Sequence, residues 1–349
     1  MGVIASKNAF VVNGRTVLIT GGSRGMGLEV GRQLAEKGAS IVIVARDQKR
    51  LIEGIEYIKK GAIAEDQRFH QISADLSSAA ECTRVISETI AWNGGSPPDI
   101  VWCCAGSSHP TLFIDTPVSQ LEAQMNSNYF SSAYMAHAAL KSWLRPQALS
   151  RNGNNRTPNA TGVGKVETSS PPLPRHLIFT ASFVSFYTFA GYGPYSPTKA
   201  ALRSLSDSLS QEMNLYAAAN PHSPPVKIHT VFPATILTEG YEAENLVKTD
   251  LTKMLEESDD GQTAEIVARE SIKGLQSGQE LITTTWITKL VMCSALGGSI
   301  RGGFWRGMLD GILACIMTVG MVFVRAGMDR SVKKWGRDFG DSGMKKMKN

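Results

Sequence analysis

The stretch RTVLITGGSRGMG, residues 15–27, decides the fold. Its first half is a short apolar run that is typical of a buried strand, and the pattern of residues 25–37 predicts a helix. Gly21, Gly25 and Gly27 let the backbone turn tightly between the two elements and approach a pyrophosphate at the helix N-terminus. A glycine-rich turn without a ligand is the alternative, but a strand before the turn and a helix after it favour nucleotide binding.

Further strands and helices alternate along the chain after this turn. Apolar runs predict strands at 41–45, 68–73, 99–104, 176–181, 226–232 and 281–285, and helices are predicted at 77–92 and 195–218. Strands that alternate with helices form βαβ units and a parallel sheet. We therefore expect an α/β fold.

The charge of the chain is concentrated at its C-terminal end. Residues 325–349 carry the whole net charge of +5, so the rest of the chain is neutral. This distribution argues against general nucleic-acid binding and suits a tail that lies near anionic lipid. The five cysteines show neither a CxxC motif nor a histidine spacing for zinc, which predicts a reducing compartment and no metal site.

Three segments lie outside the predicted α/β domain or interrupt it. Residues 147–175 are rich in Asn, Pro, Gly, Ser and Thr, which predicts a disordered surface insertion. Residues 1–13 are predicted to be an N-terminal extension, whose first residues fit the loose pattern for myristoylation. Residues 288–349 are predicted to contain an apolar, membrane-associating segment and the basic tail.

The apolar part of this C-terminal segment is short for a membrane span. Residues 311–324 carry no charge over 14 residues, whereas about 20 are needed to cross a bilayer. A short span, an interfacial helix and a helix that packs against another subunit all fit this length. Residues 281–300 are also apolar apart from Lys289. We expect membrane association rather than a soluble oligomer contact.

The end of the second predicted strand indicates which nucleotide binds. An acidic residue there would bind the ribose 2′-hydroxyl of NAD. Instead Arg46 follows the strand, and Arg24 in the glycine turn is a second cation. Two guanidinium groups suit a 2′-phosphate, which predicts NADPH. Two alternatives remain: both arginines are ordinary surface residues, or Asp47 meets the ribose hydroxyls.

Tyr195 and Lys199 are four residues apart at the start of the predicted helix 195–218. Residues at this spacing are neighbours on a helix. A lysine ammonium beside a tyrosine hydroxyl favours the phenolate, so it should lower the pKa of Tyr195 and help it to give a proton to a carbonyl oxygen. A solvated lysine and a half-buried tyrosine are the alternative.

These features together resemble the short-chain dehydrogenase/reductase family over residues 14–287, with TGxxxGxG at 20–27, Asn128, Ser182, Tyr195 and Lys199 as the matching elements. The resemblance implies a single Rossmann-type doubly wound parallel sheet with helices on both faces, followed by the C-terminal apolar extension. It also implies an enzyme. The intact set of four polar residues argues against a cofactor-binding scaffold without catalysis.

The resemblance implies a role for each catalytic candidate. Tyr195 is the general acid for carbonyl reduction, and Ser182 hydrogen-bonds the substrate carbonyl and stabilises the developing oxyanion. Lys199 holds the nicotinamide ribose and lowers the pKa of Tyr195. Asn128 holds a water in a proton relay to Lys199; Asn126 is the alternative, but the family spacing favours Asn128.

The same resemblance extends the cofactor site. It implies an adenine contact at Asp75 and a carboxamide contact from the segment after the sixth strand. The residues assigned to cofactor binding are Gly21, Ser23, Arg24, Gly25, Gly27, Arg46, Asp75, Leu76, Ala105, Gly106, Tyr195, Lys199, Pro233, Ile236 and Thr238. Two positions depart from the family pattern: Cys103 replaces an asparagine that usually supports the sheet, and Ala234 replaces a glycine.

Residues 182–199 and 235–245, with Lys248 and Thr252 after them, are similar to one group within that family, the 3-ketodihydrosphingosine reductases. This implies reduction of the 3-keto group of a long-chain keto sphingoid base with NADPH, in sphingolipid biosynthesis at the cytosolic face of the endoplasmic reticulum membrane. Besides the keto base and membrane lipid, a second copy of the chain is a candidate partner. The alternative function is a membrane-bound reductase of another lipid ketone, such as a steroid or an acyl ketone.

Overall fold

The computed structural model describes residues 8–145, 172–257, 259–299, 301 and 303–345. The predicted insertion at 147–175 therefore lies outside the described residues except for its last four, and the myristoylation pattern lies outside them altogether. The predictions made for these two segments remain predictions.

Seven strands form one parallel sheet: β1 (Thr16–Thr20), β2 (Ser40–Ala45), β3 (Phe69–Ser73), β4 (Ile100–Cys103), β5 (Arg175–Thr180), β6 (Val226–Phe232) and β9 (Leu281–Thr283). Their order is β3-β2-β1-β4-β5-β6-β9, and every pairing is parallel. Two short strands, β7 (Ile236–Leu237) and β8 (Gln262–Thr263), pair separately. The strand order reverses between β1 and β4, and ligands of such sheets bind beyond the carboxyl ends of the strands at this point.

The helices are α1 (Gly25–Ala35), α2 (Gln48–Lys59), α3 (Ala79–Trp92), α4 (Val118–Gln124), α5 (Ser131–Leu144), α6 (Ser196–Ala219), α7 (Glu239–Val247), α8 (Asp250–Glu256), α9 (Ala264–Gln276), α10 (Trp286–Ala295) and α11 (Phe304–Phe339). Helices α1, α2 and α9 bury their apolar residues against one face of the sheet, and α3, α5 and α6 against the other. The strands are apolar on both faces for this reason: Ile19 packs on one side and Leu18 on the other. The predicted doubly wound parallel sheet is confirmed.

Element ends differ from the predictions by one or two residues where a hydroxyl caps a helix. The predicted helix 77–92 begins at Ala79, because the Ser78 side chain accepts a hydrogen bond from the Glu81 amide. The predicted strand 281–285 ends at Thr283, since Thr285 caps α10 by accepting from the Thr288 amide. Caps of this kind locate the turns that precede these helices.

Residues on both sides of the predicted domain bounds pack with the domain. Phe10 and Val12 are buried in its core, and the Ala9 amide donates to the Gln276 carbonyl at 3.0 Å. Helix α10 runs across the predicted bound at residue 287. The exact bounds remain a prediction.

Helix α11 contains the predicted apolar run 311–324 and is much longer than that run. Within the described residues, Gly307–Phe339 is the one helix that is long and apolar enough to cross a membrane, and none of its most apolar 18-residue window is buried. The helix is attached to the domain at both ends: Lys289 pairs with Asp310 at 2.7 Å, and Trp335 is buried. An exposed apolar helix attached to a folded domain indicates association with a membrane.

Candidate active site

The candidate site is a cleft of about 2500 Å³ beyond the carboxyl ends of the central strands. Its walls include every residue predicted to bind the cofactor, together with Ser182. Asn128 is the exception among the catalytic candidates: it is fully buried, whereas Asn126 and Ser127 line the cleft. The sheet therefore brings together residues that are up to two hundred positions apart in the sequence.

The glycine turn leaves room for a phosphate and no room for side chains. A Cβ atom on Gly27 would lie 2.4 Å from the Gly21 carbonyl oxygen. Gly21 has a φ of 65°, and a Cβ there would lie 2.8 Å from the Ala105 amide nitrogen. Within the described residues, no side chain caps the N-terminus of α1, which leaves its first amide groups available to an anion. The turn thus fits the pyrophosphate of a dinucleotide.

Arg24 and Arg46 are both exposed and both line the cleft. Asp47 also lines it, but its Oδ1 atom accepts from the Arg50 amide at 3.1 Å and caps α2. This engagement weakens the alternative in which Asp47 binds ribose hydroxyls. A third guanidinium, on Arg50, was missed by the sequence analysis; it lies 2.7 Å from a Glu239 carboxylate oxygen, at the edge of the same cleft.

Asp75 and Leu76 follow β3 and contribute to the cleft in different ways. The amide of Ser77 donates to Asp75 at 3.1 Å and holds the pKa of that carboxyl below its usual range. The side chain of Leu76 packs into the core, so Leu76 contributes its backbone to the wall of the cleft.

Pro233, Ile236 and Thr238 form the segment that leaves β6 and crosses the glycine turn. The Pro233 carbonyl accepts from the Phe183 amide at 2.8 Å. Thr238 caps α7, and a Cβ on Gly25 would lie 3.4 Å from its methyl group. This segment covers the N-terminus of α1.

The catalytic candidates meet where β5 ends and α6 begins. Ser182 follows β5, Tyr195 is the residue that precedes α6, and Lys199 lies in its first turn. The Lys199 ammonium donates to the Thr180 carbonyl at 3.0 Å and lies 5.6 Å from the centre of the Tyr195 ring. The predicted neighbourhood of Tyr195 and Lys199 is therefore observed.

The predicted direction of the Tyr195 pKa is wrong for this structure. Burial raises the pKa of Tyr195, the charge of Glu244 adds to this, and the Ser182 hydroxyl lowers it. Burial also lowers the pKa of Lys199 to about 8. The lysine sits over the ring face and bonds to Thr180 instead of lying beside the phenol oxygen, so desolvation decides the result.

Asn128 lies behind the cleft, in the π-helical turn Met125–Phe130. Its Oδ1 accepts from the Ser107 amide at 3.0 Å, and its Nδ2 donates to the Ser107 carbonyl at 2.9 Å. A Cβ on Gly106 would lie 2.5 Å from Asn128 Oδ1 and 3.3 Å from Lys199 Nζ. Gly106 thus allows Asn128 and Lys199 to approach each other, while the Asn128 side chain holds the loop that follows β4.

Two groups of residues have supporting roles that were not predicted from the sequence. The Thr20 hydroxyl accepts from the Cys104 and Ala105 amides at 3.1 and 3.2 Å and joins the ends of β1 and β4. Lys248, with a fully buried side chain, pairs with Glu244 at 2.9 Å and Glu256 at 2.7 Å. The signals for the second group were the four-residue spacing of Glu244 and Lys248 and the resemblance of their segment to one group of the family.

The Tyr192 hydroxyl ties this charged group to the active site. It donates to Glu244 at 2.8 Å and also contacts Glu256, and its ring centre is 6.1 Å from that of Tyr195. Desolvation and the two carboxylates raise the pKa of Tyr192, so its hydroxyl stays protonated. Helices α7 and α8 are therefore fixed to the segment that presents Tyr195.

Comparisons with known proteins agree with this geometry. A family model described as short chain dehydrogenase matches residues 15–152. A 3-ketodihydrosphingosine reductase of Aspergillus fumigatus is 48% identical over 319 residues, which are 89% of this chain and 82% of that protein. The enzyme of the same name from Neurospora crassa is 40% identical over 97% of this chain and 87% of its own length, and that of Cryptococcus neoformans is 34% identical over 94% and 87%.

Solved structures support the fold alone, because their sequence identity is low. A short-chain type dehydrogenase/reductase from Mycobacterium marinum has a TM-score of 0.61 at 19% identity, covering 79% of this chain and 96% of that chain. The corresponding protein of Mycobacterium ulcerans has a TM-score of 0.60 at 19% identity, covering 78% and 89%. Fold, sequence identity and family match agree, and the chain belongs to the short-chain dehydrogenase family, as an oxidoreductase whose Rossmann fold takes a nicotinamide nucleotide.

Proposed function

We propose that this chain reduces the 3-keto group of 3-ketodihydrosphingosine to dihydrosphingosine with NADPH, as a step of sphingolipid biosynthesis. The observation that carries this proposal is the 48% identity to the reductase of that name from Aspergillus fumigatus over 89% of the chain. The site itself supports ketone reduction, since Ser182, Tyr195 and Lys199 meet at one wall of the cleft.

Each catalytic residue either contacts the carbonyl oxygen of the substrate or assists the residue that gives this oxygen its proton. The reduced nicotinamide supplies the hydride when it is bound. Tyr195 gives its proton to the carbonyl oxygen; because burial raises its pKa, the phenol is protonated at neutral pH. Ser182 donates a hydrogen bond to the same oxygen and stabilises the negative charge that develops there.

Lys199 and Asn128 support this proton transfer. The Lys199 ammonium would bind the ribose of the cofactor, and its hydrogen bond to the Thr180 carbonyl fixes its direction. Asn128 holds the water of a proton relay to Lys199. It lies behind the cleft, where Gly106 leaves room for the Asn128 and Lys199 side chains to approach each other. The glycine turn would hold the pyrophosphate, Asp75 and Leu76 would contact the adenine, and the segment from Pro233 to Thr238 would hold the carboxamide.

Arg24 and Arg46 make the cofactor NADPH rather than NADH. A charge-assisted hydrogen bond to the 2′-phosphate contributes about 1.5–3 kcal/mol. Arg46→Ala should therefore raise the Michaelis constant for NADPH by roughly tenfold or more, with little change for NADH. Arg84→Ala, on α3 outside the cleft, is the matched control. Equal effects of Arg46→Ala on the two nucleotides would refute the assignment.

A panel of ketones tests the substrate. Each buried CH₂ contributes about 0.8 kcal/mol, so kcat/KM should rise with the chain length of 3-keto sphingoid bases until solubility or pocket length limits it. A steroid ketone has no such gradient. Purified protein that turns over the steroid efficiently and leaves the sphingoid ketones unchanged would support a different lipid reductase.

Helix α11 supports the proposal that the enzyme acts at a membrane. The chain then acts at the endoplasmic reticulum membrane, with its catalytic domain facing the cytosol. A chain that ends at Asp310 should move from the membrane pellet to the soluble fraction, because the apolar run that follows is removed. Retained NADPH binding is the control for folding. Truncated protein that binds NADPH and stays in the pellet would locate the anchor elsewhere, for instance at residues 281–300.

A further inference from the structure

Helix α11 has two apolar faces that meet different surroundings. One face points away from the domain and is 57 to 71% exposed at four residues: Ile312, Ile316, Val319 and Phe323. The other face carries three half-buried methionines that line the same cleft as Ser182 and Tyr195: Met317, Met321 and Met328. Since an α-helix turns once in 3.6 residues, the two sets lie on opposite sides of α11.

The inner face of α11 continues the active-site cleft as an apolar channel. Trp286, Ile287 and Leu290 of α10 line the cleft together with the three methionines. The cleft therefore has a polar end at Tyr195 and an apolar part between α10 and α11. Methionine side chains are unbranched and flexible, so they adapt to a chain that lies along them.

The position of α11 beside the catalytic segment is supported by charges and contacts. Tyr187 comes five residues after Ser182 and lines the cleft. Burial raises the pKa of Tyr187, and the charges of Arg325 and Asp329 on α11 also act on this pKa. The tail beyond α11 is bonded to α8, where the Leu251 amide donates to the Gly343 carbonyl at 2.9 Å. The inner face of α11 is thus held toward the site.

The dimensions fit an alkyl chain that comes from a membrane. The stretch from Met317 to Met328 is about 16 Å long at 1.5 Å per residue, roughly half the thickness of a ~30 Å hydrocarbon core. The exposed outer face is apolar, which suits contact with the hydrocarbon chains of lipids. A chain lying along the inner face would leave its keto end toward Tyr195, and each methylene it buries strengthens binding about fourfold.

We propose that the inner face of α11, with α10, binds the alkyl chain of the substrate and admits it to the active site directly from the membrane. This inference rests on the proposed function, since it takes a long-chain keto base as the substrate. It assigns to α11 a part in substrate binding in addition to membrane attachment.

Two tryptophan substitutions on opposite faces of α11 test this. Met321→Trp fills the channel, and we expect it to lower kcat/KM for the 18-carbon 3-keto base at least about tenfold, since burial of fewer than two methylene groups accounts for that factor. For a 3-keto base with a chain of about eight carbons, the same substitution should change kcat/KM less than about twofold. Val319→Trp on the outer face, as the matched control, should leave both substrates within about twofold of wild type.

The wild-type results separate the two proposals. A wild-type protein that reduces neither keto base refutes the proposed function. If the wild-type protein is active, the two variants test the channel. Equal effects of Met321→Trp and Val319→Trp on the ratio of kcat/KM for the long-chain base to kcat/KM for the short-chain base would overturn it. The short-chain activity of Met321→Trp shows whether that variant is folded.

If Met321→Trp loses both activities, photolabelling of the wild-type protein decides. A keto base with a diazirine at the end of its alkyl chain should label peptides of α10 or of the inner face of α11 in vesicles. Excess unlabelled keto base should suppress this labelling. Labelling that falls only outside α10 and α11, or that the unlabelled base does not suppress, would overturn the channel.

Discussion

Tyr195→Phe should lower turnover at least about a hundredfold while NADPH still binds. The substitution keeps the ring, which lies under Lys199 with its centre 6.1 Å from that of Tyr192, and it removes only the hydroxyl that is proposed to give the proton. Turnover with a keto sphingoid base and NADPH binding by fluorescence are the two measurements. The largest loss should appear in kcat, because the proton is transferred in the transition state.

Tyr216→Phe on the same helix is the matched control. Tyr216 lies in the last part of α6 and outside the cleft, so its loss should leave kcat within about twofold of wild type. Near-normal turnover of Tyr195→Phe would mean that another group supplies the proton. Loss of NADPH binding in the same variant would mean that the phenol holds the cofactor rather than the reacting oxygen.

Ser182→Ala should lower kcat by about 10²–10³, the range found when one hydrogen-bond donor to a developing oxyanion is removed. The Ser182 hydroxyl also accepts from the Val184 amide at 3.4 Å, so the substitution costs little stability. Ser185→Ala, three residues along and outside the cleft, is the control and should retain activity. An unchanged kcat in Ser182→Ala would remove Ser182 from the mechanism.

The double variant tests whether the two hydroxyls act on one oxygen. Groups that work as a unit are strongly non-additive. The variant with both Tyr195→Phe and Ser182→Ala should therefore lose little more than the worse single variant. Fully multiplicative losses would indicate two independent roles.

The features that the sequence predicted well are those whose physical cause is local. The strand and helix on either side of Gly21–Gly27 follow from apolar runs and glycine conformation within a few residues. Ser182, Tyr195 and Lys199 lie near one another because β5 ends and α6 begins there, and their catalytic roles remain predictions. Arg24 and Arg46 follow two adjacent strands, and their contact with a 2′-phosphate remains a prediction.

The features that the sequence did not predict depend on residues far apart in the chain. The pKa of Tyr195 is set by burial and by Glu244, which comes from a different helix. Asn128 is hydrogen-bonded to Ser107, which lies in the loop that follows β4. Phe10 belongs to the core although it precedes the family pattern, because it packs against His176 on β5.

Helix α11 is longer than the predicted apolar run for a physical reason. The predicted apolar run ended at the charge on Arg325, but charge does not end a helix whose outer face is exposed. Arg325 pairs with Asp329 at 3.0 Å one turn later, and the helix continues to Phe339. Apolar composition therefore located the candidate membrane segment and not the ends of the helix.

The most direct test of the proposed reaction is to identify its product. Purified chain in phospholipid vesicles is mixed with 3-ketodihydrosphingosine and NADPH, and lipid products are measured by mass spectrometry beside the loss of NADPH absorbance. One dihydrosphingosine should form for each NADPH consumed, and the Tyr195→Phe protein should form at least about a hundredfold less per minute. Wild-type protein that binds NADPH and forms no dihydrosphingosine would contradict the proposed function.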